Sequence, residues 1–300
     1  MAGNKGEVVK SLVVNAIIAS SKGVAAGLTG SGAMLAETLH SFADCGNQLL
    51  LLVGLNQSRR AADAKYPLGH GRQMYFYSFI VALLLFCGGG VFSIYEGIHK
   101  LREPEAVGDI TVALVILGIS ILLEGWSTLG NIKVLNARRG ATPFFRHLKE
   151  TKDSDLIVVF GENSAAVLGL VLAGVAIVVA KLTNDGRWDA AGSIAIGLVL
   201  VMVAAFLGRE VKSLLVGESA DPKLIDAANE IAHTHPHIEK VLNILSIQQG
   251  PGEIMVAMKL QFKDGLTTQE IVAAINDYER KLEARNPEVK WTFIEPDNVA

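Results

Sequence analysis

Six long apolar windows, separated by short polar links, dominate the first two thirds of the chain. Each contains about 20 residues or more, the length that an α-helix needs to cross about 30 Å of hydrocarbon. The pattern therefore predicts a six-helix transmembrane domain within residues 1–216 and excludes a wholly soluble protein. The windows cover roughly residues 8–28, 33–56, 75–98, 110–132, 156–180 and 189–208.

The periodicity changes after residue 216. Helical spacing alternates with the two-residue period of strands, which is clearest from Met255 to Phe262. The order α-β-β-α-β over about 80 residues predicts a cytoplasmic α+β domain of the ferredoxin-like type at 217–300. We expect helices at 221–234 and 267–285, and strands at 240–249, 253–263 and 289–295.

Charge separates the same two regions. The last 84 residues hold 22 of the 57 charged side chains and have a net charge of −6. A domain with this charge has little attraction for phosphates, so we expect no nucleic-acid partner. The mean hydropathy of the whole chain, +0.37, agrees with a protein that lies in a lipid bilayer.

The distribution of Lys and Arg predicts the orientation. Fourteen of these residues flank one face of the predicted spans and four flank the other, so the positive-inside rule places both termini in the cytoplasm. Lys5 and Lys10 precede a long first window without an A-x-A cleavage site, which favours a retained span. We expect a multi-pass protein of the bacterial inner membrane. Cys45 and Cys87 lie inside apolar windows without CxxC spacing and are predicted to be packing residues.

The second window carries four polar residues on one helix face. Glu37, His40, Asp44 and Asn47 are spaced at i, i+3, i+7 and i+10. An ionisable side chain in a span costs about 2.5–3.5 kcal/mol at the bilayer centre, so each requires an explanation. His40 and Asp44 lie one turn apart and can converge on one metal ion. The alternative is a buried, hydrogen-bonded His–Asp pair that joins helices.

The fifth window opens with Glu162 and Asn163. One imidazole and two carboxylates, with Asn163 as a neutral oxygen ligand or an orienting group, suit Zn²⁺, Fe²⁺, Mn²⁺ or Co²⁺ and do not suit Cu⁺. We therefore predict a metal site formed by His40, Asp44, Glu162 and Asn163. Structural roles near interfaces or across helices are predicted for the other ionisable groups, which are Lys22, Glu96, His99, Glu124 and Asp189.

Several motifs resemble the cation diffusion facilitator family of divalent-metal/proton antiporters, and the resemblance covers nearly the whole chain. His40 and Asp44 match the ligand pair that this family has on span two. The motifs are Thr29-Gly30-Ser31, His40-Ser41-x-x-Asp44, Tyr66-Pro67-Leu68-Gly69-His70-Gly71-Arg72, Tyr95-Glu96-Gly97-Ile98 and Leu215-Val216-Gly217-Glu218-Ser219.

Span five departs from the family pattern. Asn163 stands where the family has the second Asp of its pair, Val159 stands at the first ligand position, and Glu162 lies one residue before Asn163. This arrangement resembles a divergent subgroup that includes a mitochondrial and nuclear-associated eukaryotic branch. Zinc is the first choice of substrate, and iron, manganese or cobalt remain alternatives.

The resemblance also implies a second metal site in the loop after span two. Asp63 and His70 match its pattern, whereas Tyr66 replaces a ligand, so we expect at most a weak two-ligand site. The alternative is that His70 caps the turn before span three. The loop between spans four and five has only His147, which predicts no metal-buffering loop.

For the C-terminal domain, the resemblance implies a homodimer, which we expect to involve both domains. Lys259, Phe293 and Glu295 occupy the family's dimer-bridging ligand positions, and they predict contact through packing instead of a shared zinc site. The sequence His233-x-His235-x-His237 contains the helix-breaking residue Pro236, so we interpret it as an exposed helix end. Metal binding by these histidines is the alternative.

The predicted function is efflux of a divalent cation by alternating access, coupled to protons that compete for the same ligands. The imidazole of His40 is the group best suited to titrate near neutral pH. We expect no enzyme and no cofactor, because the sequence has no evident nucleophile, oxyanion device or cofactor loop. A membrane metal sensor or scaffold without transport is the alternative.

Overall fold

The computed structural model describes residues 5–104, 109–150 and 154–298. Its Cα positions divide the chain into two compact units. The first comprises Met1–Gly54 and Phe76–Val211, and the second comprises Leu55–Tyr75 and Lys212–Ala300. The segment between the second and third predicted spans thus belongs to the same unit as the C-terminal part of the chain.

All six apolar windows form helices. The helix Gln73–Arg102 is continuous but contains a π-helical segment, Leu85–Val91, which divides it into α3 (Gln73–Leu84) and α4 (Phe92–Arg102). A short helix between spans four and five, α6, was not predicted. The elements are α1 (Lys5–Thr29), α2 (Gly32–Ser58), α3 (Gln73–Leu84), α4 (Phe92–Arg102), α5 (Thr111–Arg139), α6 (Phe144–Glu150), α7 (Ser154–Thr183) and α8 (Arg187–Val216).

Four helices in the described part of the chain are long and apolar enough to cross a membrane: Gln73–Arg102, Thr111–Arg139, Leu156–Thr183 and Arg187–Val216. Helices α1 and α2, with 25 and 27 residues, are also long enough at 1.5 Å per residue. The apolar character of α2 is reduced by its polar stripe, and such side chains in a span face the bundle interior instead of lipid.

Small residues bring helix backbones into contact beside the π-helical segment. A Cβ at Gly90 would lie 2.6 Å from Val201 Cγ2, and one at Gly197 would lie 2.8 Å from the Gly90 carbonyl oxygen. This close approach is typical of membrane helices, in which small residues allow the backbones to pack against each other. Both cysteines are free, but Cys45 is buried whereas Cys87 is exposed. Burial agrees with the packing role predicted for Cys45, and the packing role of Cys87 stays a prediction.

Asp189 at the start of α8 caps the beginning of α2. Its carboxylate accepts hydrogen bonds from Ser31 Oγ and Gly32 N, each at 2.5 Å, and from Ala33 N at 3.4 Å. The first backbone N–H groups of a helix have no partner within the helix and favour an anion. These contacts confirm the structural role predicted for Asp189.

The second unit contains the predicted α-β-β-α-β arrangement. Strand β1 (Ile238–Gly250) is antiparallel to β2 (Glu253–Phe262), and β2 is parallel to β3 (Val289–Pro296). The sheet order is β1-β2-β3. Tyr278 is fully buried and donates its hydroxyl to the carbonyl of Ala228 at 2.8 Å, which joins the two helices. The elements are α9 (Pro222–Thr234), β1 (Ile238–Gly250), β2 (Glu253–Phe262), α10 (Thr268–Arg285) and β3 (Val289–Pro296).

The histidine segment differs from its prediction. His233 is exposed, but His235 is only 5% exposed and its Nε2 lies 3.3 Å from Asp277 Oδ2. The interpretation of this segment as an exposed helix end is therefore wrong for His235, because α10 covers it. Lys259 forms an ion pair with Asp297, with Nζ 2.6 Å from Oδ2.

Candidate metal transport site

His40 and Asp44 form the centre of the candidate site on α2. The helix places them one turn apart, with His40 Nδ1 3.6 Å from Asp44 Oδ1, beyond hydrogen-bond distance. Their side chains are 0% and 17% exposed. Within the described residues, neither ring nitrogen of His40 nor Asp44 Oδ1 has a hydrogen-bond partner. The hydrogen-bonded pair considered from the sequence is therefore not formed, and these atoms remain available to a ligand.

Glu162 on α7 is held in place by Asn47 on α2. The amide of Asn47 donates from Nδ2 to Glu162 Oε1 at 2.6 Å, and both side chains are buried. Asn47 is the last member of the polar stripe predicted on α2. A hydrogen bond to one carboxylate oxygen fixes the orientation of the other, as groups behind metal ligands commonly do.

Asn163 joins α7 to α5. Its side-chain amide donates from Nδ2 to Ser127 Oγ at 2.9 Å, and its backbone carbonyl oxygen accepts from Thr128 Oγ1 at 3.3 Å. These contacts support the orienting role considered for Asn163. They also bring a polar face of α5 to the level of Glu162.

A small polar cavity connects these helices. Its volume is about 20 Å³, enough for one species of the size of a water molecule. It brings together Asp44, Glu162 and Asn163, whereas His40 does not line it. In this conformation, no three His, Cys, Asp or Glu side chains of the described residues converge closely enough to hold a metal ion. The lining consists of Asn15, Ile18, Ser41, Asp44, Gln48, Glu124, Glu162 and Asn163.

Glu37, the first member of the stripe, is paired with a lysine. Lys22 Nζ lies 3.2 Å from Glu37 Oε2 and donates to Ser41 Oγ at 2.7 Å. The side chains of Lys22 and Glu37 are fully buried. Gly169 on α7 leaves room for the carboxylate, because a Cβ there would overlap Glu37 Oε1. The pair confirms the structural role predicted for Lys22 and gives Glu37 a partner of its own.

Asp63 and His70 meet in the loop before α3. His70 Nε2 lies 3.0 Å from Asp63 Oδ2, and its Nδ1 lies 3.0 Å from Gln73 Nε2. The backbone N–H of Tyr66 and the contact with His70 lower the pKa of Asp63. Both ring nitrogens of His70 thus have protein partners, as expected for a structural loop residue. The two-ligand metal site stays a prediction.

The polar face of α5 was missed by the sequence analysis, which considered Glu124 alone. Ser120, Glu124, Ser127 and Thr128 recur at helical spacing, and Glu124 reaches the cavity. The spacing is the same kind of signal that identified the stripe on α2.

Comparison with known protein families gives a match over most of the chain. A family model described as the cation efflux transmembrane domain matches residues 8–216. The chain belongs to the cation diffusion facilitator family. Membership confirms the predicted fold class, an integral membrane helical domain followed by a small C-terminal domain. It also confirms the prediction of a transporter family instead of an enzyme.

Three related proteins differ from one another in length and in their names. The human protein named proton-coupled zinc antiporter SLC30A9, mitochondrial, is 28% identical over 89% of this chain and 48% of its own length. Metal tolerance protein C4 of Arabidopsis thaliana is 30% identical over 80% of this chain and 53% of its own length. Magnetosome protein MamB of Magnetospira is 23% identical over 91% of this chain and 88% of its own length. The chain thus spans about half the length of the first two relatives.

Proposed function

We propose that this protein exports a divalent metal cation across a membrane in exchange for protons. The observation that carries the proposal is the polar cavity between α2, α5 and α7, lined by Asp44 and Glu162 in the membrane part of the chain. Ionisable side chains at such depth are costly unless they serve a substrate or a proton path. The family and the human zinc antiporter relative support a cation as that substrate.

His40, Asp44 and Glu162 are the proposed ligands. Zinc is the first candidate, because imidazole and carboxylate ligands suit it, and Fe²⁺, Mn²⁺ and Co²⁺ suit the same donors. The ligands are not converged in the conformation described above, so binding requires the side chains of His40, Asp44 and Glu162 to move together around the cation. Asn163 is proposed to orient α7 through Ser127 instead of acting as a neutral oxygen ligand of the cation.

Protons are proposed to drive release. A metal ion binds the deprotonated forms of the imidazole and carboxylates, so protons that arrive from the other side compete for the same atoms. Rocking of the helix bundle exposes the cavity to each side in turn. We further propose that residues 1–216 transport the cation and that 217–300 mediate a homodimer, with both termini in the cytoplasm. The bacterial inner membrane stays a prediction.

Reconstitution of the full chain in proteoliposomes tests the proposal. Zn²⁺ uptake and internal pH are followed with two dyes, with Fe²⁺, Mn²⁺ and Co²⁺ as competitors. We expect metal flux coupled to counter-flow of protons, and loss of flux in Asp44→Ala. Asp264→Ala, in the turn before α10, is the control for a change of one acidic residue.

Two results would reject parts of the proposal. Full transport by Asp44→Ala would remove the site assignment, and flux unaffected by collapse of the pH gradient would remove antiport. Metal binding without any flux would favour a sensor or scaffold.

A further inference from the structure

Glu124 is the one carboxylate in the cavity that the candidate site does not use. It lies in the middle of α5, a helix whose most apolar window is 17% buried within the chain. Its side chain nevertheless turns to the cavity that Asp44 and Glu162 line. A carboxylate on a helix with so much lipid-facing surface carries a desolvation cost that helix packing does not require.

Hydrogen bonds between α5 and α7 fix the position of Glu124. Thr128, one turn later, donates to both the Glu124 carbonyl at 2.8 Å and the Asn163 carbonyl at 3.3 Å. Ser127 accepts from Asn163 Nδ2 at 2.9 Å. Because Glu124, Ser127 and Thr128 share one face of α5, these bonds hold Glu124 at the level of Glu162.

A cross-helix ion pair does not explain Glu124. Among the described residues, no side chain donates a hydrogen bond to its carboxylate, although its charge interacts with those of Asp44, Lys22 and His40. Lys22 is bonded to Glu37 and Ser41 instead. The carboxyl group of Glu124 therefore lines the same cavity as Asp44 without a hydrogen-bond donor among the described side chains.

The helix face that carries Asp44 has a second feature that indicates a cation. His40 is fully buried, and in the described part of the chain both of its ring nitrogens lack a hydrogen-bond partner, with Nδ1 facing Asp44. An imidazole in this state accepts a proton or a metal ion. His40, Asp44 and Glu162 supply three donors, whereas a tetrahedral centre has four positions.

We infer that Glu124 is a fourth ligand of the transported cation, so that the site is formed by three helices, α2, α5 and α7. The inference rests on the proposed function and deepens it. A carboxylate from α5 adds a hard oxygen donor and a negative charge, which favours divalent cations that accept oxygen ligands. It also makes the position of α5 sensitive to occupation of the site.

Co²⁺ titration of the full chain in detergent tests the inference, with the visible absorption of Co²⁺ as a direct report of its ligands. Glu124→Gln preserves the size of the side chain and removes its charge. We expect its Kd for Co²⁺ to rise on the order of 10- to 100-fold or more, with a changed Co²⁺ spectrum. Glu103→Gln, exposed at the end of α4, is the matched control and is expected to retain the Kd and spectrum of the unmodified protein.

The outcomes separate this inference from the proposed function. If Asp44→Ala abolishes Co²⁺ binding while Glu124→Gln retains the Kd and spectrum of the unmodified protein, Glu124 is not a ligand and the transporter proposal stands. If the unmodified protein binds Co²⁺ but moves no metal in proteoliposomes, the transport proposal fails and the ligand assignment is still decided by the titration. Glu124→Asp keeps the charge and withdraws the carboxylate, and it decides the question if Glu124→Gln does not fold. We expect a changed Co²⁺ spectrum for Glu124→Asp. A Glu124→Asp variant with the Co²⁺ spectrum and Kd of the unmodified protein would overturn the inference.

Discussion

Asn47 Nδ2 donates a hydrogen bond to Glu162 Oε1 at 2.6 Å and thereby links the two helices that carry the proposed ligands. Both residues are buried, so the bond is protected from competition by water. One oxygen of Glu162 is fixed by this contact, which orients the remaining oxygen before any cation arrives. The contact gives Asn47 a positioning role, which its place on the polar face of α2 did not predict.

Replacement of Asn47 by Ala removes this orientation and leaves the charge of the site unchanged. We expect metal affinity to fall on the order of 10- to 100-fold, as for other groups that hold a metal ligand in place. The measurement is the KM for Zn²⁺ in proteoliposomes, together with the Kd for Co²⁺ in detergent. Asn56→Ala, on the exposed side near the end of the same helix, is the control. Equal KM values for the two variants would contradict the role of Asn47.

Lys22→Met leaves the buried carboxylate of Glu37 without its cation. Removal of one partner from a buried ion pair costs about 3–5 kcal/mol, so the free energy of unfolding is expected to fall by that amount. The double variant Lys22→Met/Glu37→Gln is expected to recover much of the loss, because no charge remains unpaired. Reversible unfolding in mixed detergent micelles measures both values.

The control for the Lys22 experiment is Lys212→Met, since Lys212 is exposed on α8. This variant should unfold with nearly the free energy of the unmodified protein. A single Lys22→Met variant at least as stable as the double variant would show that the pair has no stabilising coupling.

The C-terminal domain is expected to lose stability in mild acid through His235. Burial lowers the pKa of His235, and the positive charge of Lys281 acts in the same direction, whereas Asp277 opposes them. Between this lowered value and the ordinary value of about 6.5, the unfolded chain binds more protons than the folded chain. The free energy of unfolding therefore decreases as pH falls through this interval and recovers above it.

Tryptophan fluorescence of the full chain can follow this change. Trp291 is the one tryptophan within residues 217–300, so Trp126→Phe and Trp188→Phe make it the only reporter. His235→Gln should flatten the pH dependence of unfolding, whereas His233→Gln, at an exposed position, should retain it. Identical slopes for the two variants would exclude His235 as the titrating group.

Hydrophobic periodicity was sufficient to predict the six long helices and the α-β-β-α-β order of the C-terminal domain. Spacing within a single helix was also sufficient to place His40, Asp44 and Asn47 on one face of α2. These predictions depend only on residues close in sequence, for which the geometry of one helix or strand is fixed.

Relations between helices could not be predicted in the same way. The pairing of Lys22 with Glu37 depends on which faces of α1 and α2 meet, and the approach of Glu124 to Asp44 depends on the rotation of α5. His235 is covered by α10, a helix more than 30 residues later in the chain, so its local sequence indicated exposure. In each case, the decisive partner is distant in sequence and is chosen by tertiary packing.

Asp189 has a consequence for any movement of α2. Ser31 Oγ and the backbone N–H groups of Gly32 and Ala33, at the beginning of this helix, all donate hydrogen bonds to the Asp189 carboxylate. A slide of α2 along its axis would break all three hydrogen bonds at once. This anchored end is therefore the point about which we expect α2 to tilt. We expect the displacement to be smallest at the anchored end and larger at Asp44 and Asn47, beside the proposed cation site.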